Sequence, residues 1–493
     1  MFKKVLVCQL LSIFVPLFEK TIRNYLFNSR RGSLPDNFYD TMADLIKIKK
    51  GLDLKLEGEA SPILMNAKPA ELFAVKPTDY HGVMPKLVAK VGTKVKAGDT
   101  LFYDKAHPEV IFPSPVSGEV IEVSRGERRK LLAIVVKADE QIQYASFDKV
   151  DVAKADADQI KAAMLAGGLW PYIKQRPYDI IASKDDTPRD IFISAFDSSP
   201  LAPNNQFILT GQEEALQAGV DALAKLTTGQ VHVSINGNTA SKTIRKIKNI
   251  NIHEFVGPHP AGNVGVQIHH IAPINKDEKV WTVNIQDLII IGRFFLEGKY
   301  DASRIIALCG SEVNKPAHYK VISGTAITPL VEGQVSTDKE LRYISGSVLT
   351  GEKISEKGYL GAYDNQITVI PESGEADFMG WGMPAFDKFS AHNTVGSKLI
   401  GRMHKIWKMD ARMNGEERAI VMSNEYDKVF PMDILPEYLL KAIITKDIDK
   451  MEQLGIYEVA PEDFALCEVV CTSKIDVQNQ VRKGLDYMIQ ELG

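Results

Sequence analysis

The stretch of residues 92–123 constrains the fold of this chain most, because short apolar runs alternate there with turn-forming residues. Its centre, residues 114–120, reads SPVSGEV, and a Gly98-Asp99 turn precedes it. Glycine, aspartate and proline interrupt strands because each favours a turn conformation or lacks a backbone donor. The pattern therefore predicts a module of short strands and tight turns, which we place at residues 42–140.

This pattern is typical of a barrel-sandwich hybrid of the biotinyl or lipoyl type. Residues 52–56 alternate with period two, and residues 131–136 read as a buried strand. A working carrier module needs an exposed lysine on a hairpin, usually within a Met-Lys-Met-like triplet. The candidate hairpin at residues 103–108 has one lysine, Lys105, and no flanking methionine. The sequence therefore predicts a carrier scaffold without carrier chemistry.

Composition bounds the class of protein. The 493 residues suffice for three or four domains, and 45% hydrophobic with 25% charged residues is ordinary for a soluble globular chain. The net charge of −4 provides no overall basic field for nucleic acid. The spacing of Cys8, Cys309, Cys467 and Cys471 suggests no disulfide framework, which favours a reducing compartment.

Residues 1–41 differ from the rest of the chain. An apolar run at residues 5–18 is shorter than the roughly twenty residues that span a bilayer, and no small-x-small cleavage site follows. Met42 then opens a strand pattern. We interpret residues 1–41 as a translated upstream extension without a role in the fold. A membrane-surface anchor is the alternative, and the choice of Met1 or Met42 as the start stays open.

The remainder divides by pattern into three domains. Residues 141–300 alternate strands with helices, as in a degenerate Rossmann-like, doubly wound α/β domain. Residues 301–373 return to strands and predict a small β-grasp (SLBB-like) domain, and residues 374–493 are mainly helical. The elements expected are strands at 190–196, 231–235, 251–256, 305–308, 319–322, 343–349 and 367–370, helices at 152–166, 210–224, 241–248 and 284–299, and a final helix with a capping box at Ser473 and Asp476 and an apolar stripe of Val477, Val481, Leu485, Met488 and Leu492.

The loop at residues 257–265 follows a predicted strand and holds three glycines and two prolines. It lacks the G-x-G-x-x-G spacing, and the sequence shows no obvious helix after it. A phosphate cradle needs consecutive free N–H groups, and proline removes donors. We therefore expect no dinucleotide here. A rigid packing loop and a remnant of a lost flavin site both stay open.

Three histidines lie in or near this loop, namely His259, His269 and His270. On a strand, His269 and His270 would point to opposite faces, and no acidic residue stands at a usual ligand offset. A metal site is therefore not expected. A pocket-lining histidine and a structural histidine remain the two interpretations.

Cys467 and Cys471 would share one face of a helix. An iron–sulfur cluster usually needs four thiolates, and Cys309 is the one further cysteine of the folded region. We therefore expect two buried thiols and no cluster, with an intersubunit site as the alternative. No nucleophile elbow, phosphate-binding P-loop, zinc motif or carboxylate pair is present in the sequence.

From about Met42 onward, the chain resembles the A subunits of the sodium-translocating NADH:quinone oxidoreductases. The similar segments are residues 48–54, 168–177, 197–203, 257–269, 344–351 and 363–372. That family is related to the C component of the Rnf complex and to the flavin-bearing component of respiratory complex I. Those relatives hold FMN, NADH or iron–sulfur clusters. The prolines of the glycine loop and the small number of cysteines agree with the family expectation that A subunits carry neither flavin nor clusters.

The resemblance implies a peripheral protein on the cytoplasmic face of the bacterial inner membrane. Five partner subunits, B to F, would complete a pump that oxidises NADH, reduces quinone and exports sodium, with the flavins and an iron–sulfur centre outside this chain. Catalysis by this chain alone is not expected. For a quinone pocket, residue type and loop context suggest His259, His269 and Trp381. The alternatives are a non-catalytic docking scaffold and an electron-transfer protein like Rnf C.

Overall fold

The computed structural model describes residues 45–239, 241–336, 338–372, 388–392 and 406–492. The strands are β1 Leu45–Lys47, β2 Ser61–Met65, β3 Leu72–Val75, β4 Pro85–Leu87, β5 Lys94–Val95, β6 Thr100–Asp104, β7 Ile111–Pro113, β8 Gly118–Arg125, β9 Leu131–Ala138, β10 Ile173–Arg176, β11 Ile180–Ile181, β12 Ile191–Ser194, β13 Val231–Asn236, β14 Asn251–Val256, β15 Val280–Val283, β16 Ser303–Cys309, β17 Ala317–Ile322, β18 Leu341–Ser345, β19 Glu352–Ile354 and β20 Gln366–Pro371.

The α-helices lie between these strands and in the C-terminal part of the chain. They are Ala157–Ala166, Asn205–Ile208, Glu213–Ala224, Val264–Ile271, Ile285–Glu297, Thr328–Val331, Tyr426–Val429, Pro436–Thr445, Ile448–Gln453, Ala465–Val470 and Val477–Leu492. Among the described residues, no helix combines the length and the apolar character needed to cross a bilayer.

The predicted barrel-sandwich module is present. Its two sheets have the orders β3-β9-β8-β5 and β4-β6-β7, and all of their strand pairs are antiparallel. The Phe102 and Phe112 rings stack with centroids 4.4 Å apart in the core between them. This arrangement follows from the alternation of apolar residues with turns, because each short strand buries one face.

The hairpin of Lys105 connects β6 to β7 and is held in place by Asp104. The buried Asp104 carboxylate accepts hydrogen bonds from the backbone N–H groups of Met84 and Ala106, each at 3.1 Å. The Lys105 N–H donates to the Met84 carbonyl at 2.7 Å. The lysine is therefore exposed on a hairpin that is tied to a neighbouring strand.

The α/β domain is built on a seven-stranded sheet of order β1-β14-β13-β12-β15-β10-β11. The strands β1, β14, β13, β12 and β15 run parallel, and β10 is antiparallel to both of its neighbours. Chain order runs outward from β12 to β14 and then returns to β15 beside β12. The doubly wound prediction is confirmed, with the change of direction between β12 and β15.

Several predicted helix boundaries are wrong. The helix predicted at 152–166 begins only at Ala157, where Asp156 caps it. The helix predicted from Thr210 begins at Glu213. At 241–248 the structure has a single 3₁₀ turn, Ile244–Lys246. The helix predicted at 284–299 is confirmed as Ile285–Glu297, with Asn284 as its N-cap, because its Asn and Gly termini are strong local signals.

The third sheet has six strands in the order β19-β18-β20-β16-β17-β2 and matches the expected β-grasp-like strands. Its edge strand β2 comes from the N-terminal part of the chain, and β1 joins the α/β sheet. Residues 52–56 form no strand, and Leu56 alone makes a bridge, to Trp407. Period two was misleading there, since the segment passes between two sheets. The proposed domain boundaries stay a prediction, because strands are exchanged across them.

The C-terminal region is helical, as expected, and its core includes Phe255 and Val266 of the α/β domain. Val477, Val481, Leu485 and Met488 are buried on one face of the last helix, whereas Leu492 is 49% exposed. The predicted capping box is wrong. Asp476 Oδ1 accepts from the Asn479 N–H at 3.1 Å, while Ser473 Oγ donates to the Ala419 carbonyl at 3.0 Å, so Ser473 fastens the preceding segment instead.

Candidate functional site

The loop of His259 lies at the carboxyl edge of the parallel strands. It follows β14, whereas Ser198 follows β12 and Asp53 follows β1. Carboxyl ends of parallel strands share one edge of a sheet, so residues distant in sequence meet there. His259, a predicted site residue, therefore lies at the edge of the sheet where many α/β proteins bind ligands.

His259 is buried and forms hydrogen bonds with the segments that follow β1 and β12. Its backbone N–H donates to Asp53 Oδ1 at 2.8 Å, and its Nδ1 lies 3.0 Å from Ser198 Oγ. The Gly262 N–H donates to the same hydroxyl at 2.8 Å. Burial lowers the pKa of His259, and the Asp197 and Asp53 carboxylates oppose that shift. The arrangement is that of a neutral histidine that orders a loop.

The sequence expectation of no helix after this loop is wrong. Residues Val264–Ile271 form a helix, so His269 and His270 lie on a helix and not on a strand. Val264, Ile268 and Ile271 pack together against the sheet, at the spacing of one helical face. A run rich in valine and isoleucine suits either structure, so periodicity could not decide over eight residues.

The first turn of this helix is occupied by a carboxylate of the chain itself. A Cβ atom at Gly265 would lie 2.5 Å from Asp463 Oδ2. Because a helix N-terminus carries partial positive charge, it attracts anions, and nucleotide-binding loops place a phosphate there. The Asp463 carboxylate lies against this turn, where its charge would repel a phosphate. Its own hydrogen bonds come from the Ala460 N–H at 2.9 Å and from Arg176. This contact explains the requirement for glycine at 265.

Arg176 neutralises this carboxylate and a second one. Its guanidinium donates from Nη1 to Asp463 Oδ2 at 3.0 Å and from Nη2 to Glu462 Oε1 at 2.7 Å. The arginine side chain is 1% exposed. Burial raises the pKa of Glu462 to about 7, and Arg176 opposes that shift. The cluster joins β10 of the α/β sheet to the C-terminal part of the chain through the buried pair of Arg176 and Asp463, with Glu462, which is 41% exposed, at its rim.

His269 joins the same two parts of the molecule. Its Nε2 accepts from the Asp433 backbone N–H at 2.9 Å, and its Nδ1 lies 2.7 Å from Glu458 Oε2. A backbone N–H can only donate, so the ring proton is on Nδ1 and is shared with Glu458. Both ring nitrogens are therefore engaged within the chain. His270 is exposed, and its Nδ1 bonds the Val266 carbonyl of its own helix at 2.8 Å.

The helix that follows β15 is bonded at its first turn to the third domain. The Gln286 side chain exchanges two hydrogen bonds with the backbone of Ile305 on β16, at 2.8 and 2.9 Å. Asp287 Oδ1 pairs with Arg304 Nη2 at 3.0 Å, and both side chains are 1% exposed. Ligands of open α/β sheets bind at such a switch point. In this chain, residues of β16 bond the helical turn that follows β15, next to that edge.

Comparison with known proteins assigns these domains to one family. The NqrA N-terminal barrel-sandwich hybrid domain matches residues 46–139, the NqrA second alpha/beta domain residues 155–300 and the NQRA C-terminal domain residues 305–356. The A subunit of the Na(+)-translocating NADH-quinone reductase of Vibrio anguillarum is 37% identical over 451 residues, which are 91% of this chain and 100% of that protein. This chain belongs to that family of A subunits.

Other A subunits of the family are similarly close. Those of Serratia proteamaculans and Neisseria meningitidis serogroup C are each 36% identical, over 454 and 450 residues, with 91% of this chain and 100% of each relative covered. Among solved structures, the NAD+-reducing [NiFe]-hydrogenase in the air-oxidized state matches 71% of this chain and 67% of its own chain. Its sequence identity is 11% and its TM-score 0.35, so no argument rests on that likeness.

The three cysteines in the described part of the chain are buried. Cys309, Cys467 and Cys471 are buried free thiols. Burial raises the pKa of Cys467 well above its usual range and that of Cys309 to about 12, so the thiolate forms are disfavoured. Tyr426 donates its hydroxyl to Cys471 Sγ at 3.0 Å. Cys467 lies within the helix Ala465–Val470 and Cys471 follows its last residue, so the predicted shared helical face is only partly formed.

Trp381, the third predicted quinone residue, lies outside the described residues. Of the other two, the structure brings His259 to Asp53 and Ser198, and His269 to Glu458 and Asp433. No group of three or more potential metal ligands occurs in the described part of the chain.

Sequence reasoning missed Asp463 and Arg176, which are 287 residues apart. An Arg-Pro dipeptide and an acidic pair after a proline gave no local signal of their pairing.

Proposed function

We propose that this chain works as the peripheral A subunit of a Na⁺-pumping NADH–quinone reductase on the cytoplasmic face of the inner membrane. The observation that carries the proposal is full-length similarity to A subunits, with three family domains in the same order. In this function NADH is oxidised, a quinone is reduced and sodium is exported by a complex of this chain with five partner subunits, B to F.

The chain contributes to quinone reduction without a redox group of its own. Three observations support this part of the proposal. Asp463 lies against the first turn of the helix Val264–Ile271, where it would repel a phosphate. Arg304 and Ile305 bond the first turn of the helix that follows β15, and burial disfavours the thiolate forms of Cys309 and Cys467. The flavins, the iron–sulfur centre and NADH then belong to the partner subunits.

Quinone contact by His259, His269 and Trp381 is a separate part of the proposal. A quinone carbonyl needs a free donor, and the Nδ1 proton of His269 is directed at Glu458. His269 can serve a quinone only when that contact opens. Titration of the purified chain with a water-soluble quinone, read by tryptophan fluorescence, tests this part. Saturable quenching that is lost in His269→Gln but kept in His270→Gln is the expected result, and the absence of saturable quenching refutes it.

A docking scaffold is the second candidate function. The observation that favours it is that the polar groups of the His259 loop are bonded to other parts of the chain. Turnover of a complex reconstituted with and without this chain separates the two. Intact quinone reduction without the chain excludes a catalytic contribution, and dissociation of the complex without it supports docking.

The assembly itself can be tested by affinity purification of the full chain from its own membranes in mild detergent. We expect the other subunits of the reductase to copurify and to be identified by mass spectrometry. A chain that elutes alone and carries a bound flavin or cluster, visible by its absorption, would contradict the proposal.

A further inference from the structure

An open basic pocket lies on the barrel-sandwich module and shares no residue with the His259 loop. It has a volume of about 200 Å³ and lies between edge strand β4 and the turn that connects β8 to β9. Its lining residues are Pro85, Leu87, Arg125, Arg129, Lys130 and Leu131. Three cations therefore face a small floor of apolar side chains.

Positive charge is concentrated here although the whole chain has a net charge of −4. The turn at residues 125–130 has four basic residues and one acidic residue, Glu127. The adjoining segment, residues 80–98, has four lysines and no acidic residue. Such a local field attracts anions from solution even when the protein as a whole is acidic.

The cations of the pocket remain available to a ligand. Arg125, Arg129 and Lys130 are exposed, and none of them forms a salt bridge to another described residue. Arg125 Nη1 donates to the Arg129 carbonyl at 3.1 Å, which fixes the turn and leaves the other guanidinium N–H groups free of that bond. An arginine fork of this kind binds a phosphate through paired hydrogen bonds.

Exposed apolar side chains adjoin the pocket residues of β4 in sequence. Met84 is 55% exposed, Val88 49% and Val91 61%. Met84 immediately precedes β4, and Val88 and Val91 lie in the segment that leads from β4 to β5 in the other sheet. A free phosphate needs no apolar neighbours, whereas the interface of an anionic bilayer offers phosphate and hydrocarbon together.

We propose that this pocket binds the phosphate of an anionic phospholipid headgroup, so that the barrel-sandwich module contacts the membrane surface directly. Arg125, Arg129 and Lys130 bind the phosphate, and Met84, Val88 and Val91 contact the interfacial region. The inference goes beyond the proposed function, which assigns the chain no direct contact with lipid.

The test is sedimentation of the full-length purified chain with phosphatidylcholine vesicles that do or do not contain phosphatidylglycerol. We expect binding only to the anionic vesicles and a decrease with added salt, since screening weakens exposed charge contacts. Each cation near an anionic surface contributes about fivefold to binding, so the triple variant R125Q/R129Q/K130Q should bind about a hundredfold more weakly.

The control variant is K242Q/K320Q/K357Q, which removes the same charge from three exposed lysines of other domains. It should bind vesicles like the unchanged chain. Both variants retain residues 1–41, so any contribution of that segment is common to them. Equal vesicle binding by the two variants overturns the proposal. It is also overturned if the unchanged chain binds inorganic phosphate but does not sediment with the anionic vesicles. Normal vesicle binding by the pocket variant, together with loss of the other subunits in copurification, overturns it in favour of a protein partner.

Discussion

At the scale of single residues, His269 connects the α/β domain to the C-terminal helices through both of its ring nitrogens. Replacing it with alanine removes one bond to a carboxylate and leaves a backbone N–H without its acceptor. We expect His269→Ala to lower the unfolding free energy by about 2–3 kcal/mol. Urea denaturation followed by circular dichroism measures this loss.

His270 provides the matched control, because it is exposed and bonds only the Val266 carbonyl of its own helix among the described contacts. His270→Ala should change the unfolding free energy by less than about 0.5 kcal/mol. Equal losses in the two variants would show that His269 does not link the domains.

Asp79 gives the chain a pH-dependent contact between the barrel-sandwich module and the third domain. Its carboxylate accepts from the Ala362 N–H at 2.8 Å and pairs with Lys76 Nζ at 3.1 Å. Burial raises the pKa of Asp79 to about 6, and Lys76 opposes that shift. The folded chain therefore keeps this proton over a pH range in which the unfolded chain has lost it.

The stability that this group contributes is complete below about pH 4 and is lost as the pH rises through about 6, because the unfolded carboxyl ionises near 3.9. Asp79→Asn should abolish this dependence. Between pH 4 and pH 7, the unfolding free energy of this variant relative to that of the unchanged chain should increase by up to about 3 kcal/mol. Thermal unfolding at both pH values checks this, with the exposed Glu140→Gln as the control. A constant difference between Asp79→Asn and the unchanged chain contradicts the assignment.

At the scale of elements, the helix Val264–Ile271 depends on close contact between its first turn and Asp463. Gly265→Ala would place a Cβ 2.5 Å from the carboxylate, so the helix or the C-terminal segment must shift. We expect a loss of about 1–3 kcal/mol in unfolding free energy. In an Asp463→Ala background the same substitution should cost little, and an equal cost in both backgrounds would refute the contact.

The buried network of Arg176 fastens β10 to the C-terminal helices. Arg176→Leu leaves Glu462 and Asp463 without their cation and should cost about 3–5 kcal/mol at pH 8. The cost should shrink toward pH 5, because Glu462, with a pKa of about 7, is then protonated. Denaturation at the two pH values measures this change.

The control for Arg176 is Arg245→Leu, which breaks the surface pair with Glu254. An exposed pair of this kind contributes less than about 1 kcal/mol. A similar cost for the two arginine variants would show that burial of Arg176 does not determine its contribution.

Elements with strong local signals could be predicted from the sequence. Asn284 and Gly298 set the ends of the helix between them, and short continuous apolar runs define the buried strands β9 and β16. The helix Val264–Ile271 could not be predicted, because valine and isoleucine favour strands and its first turn contacts Asp463, which is remote in sequence. Tertiary contacts decided its structure.

At the scale of the whole molecule, the domains are connected by exchanged strands and buried polar pairs. β1 and β2 leave the N-terminal part of the chain to join two other sheets, and Arg304 of the third domain forms a buried pair with Asp287 of the α/β domain. Sequence patterns place strands but do not determine which sheet an edge strand joins. The candidate site was therefore predicted as a loop, without the residues that surround it.

The central claim is that this chain serves a Na⁺-pumping NADH–quinone reductase without redox groups of its own. Its most direct test is the Na⁺-stimulated NADH–quinone reductase activity of membranes from cells that lack the chain. We expect the activity to be lost and to return when the unchanged chain is supplied. Full activity in membranes without the chain would contradict the account.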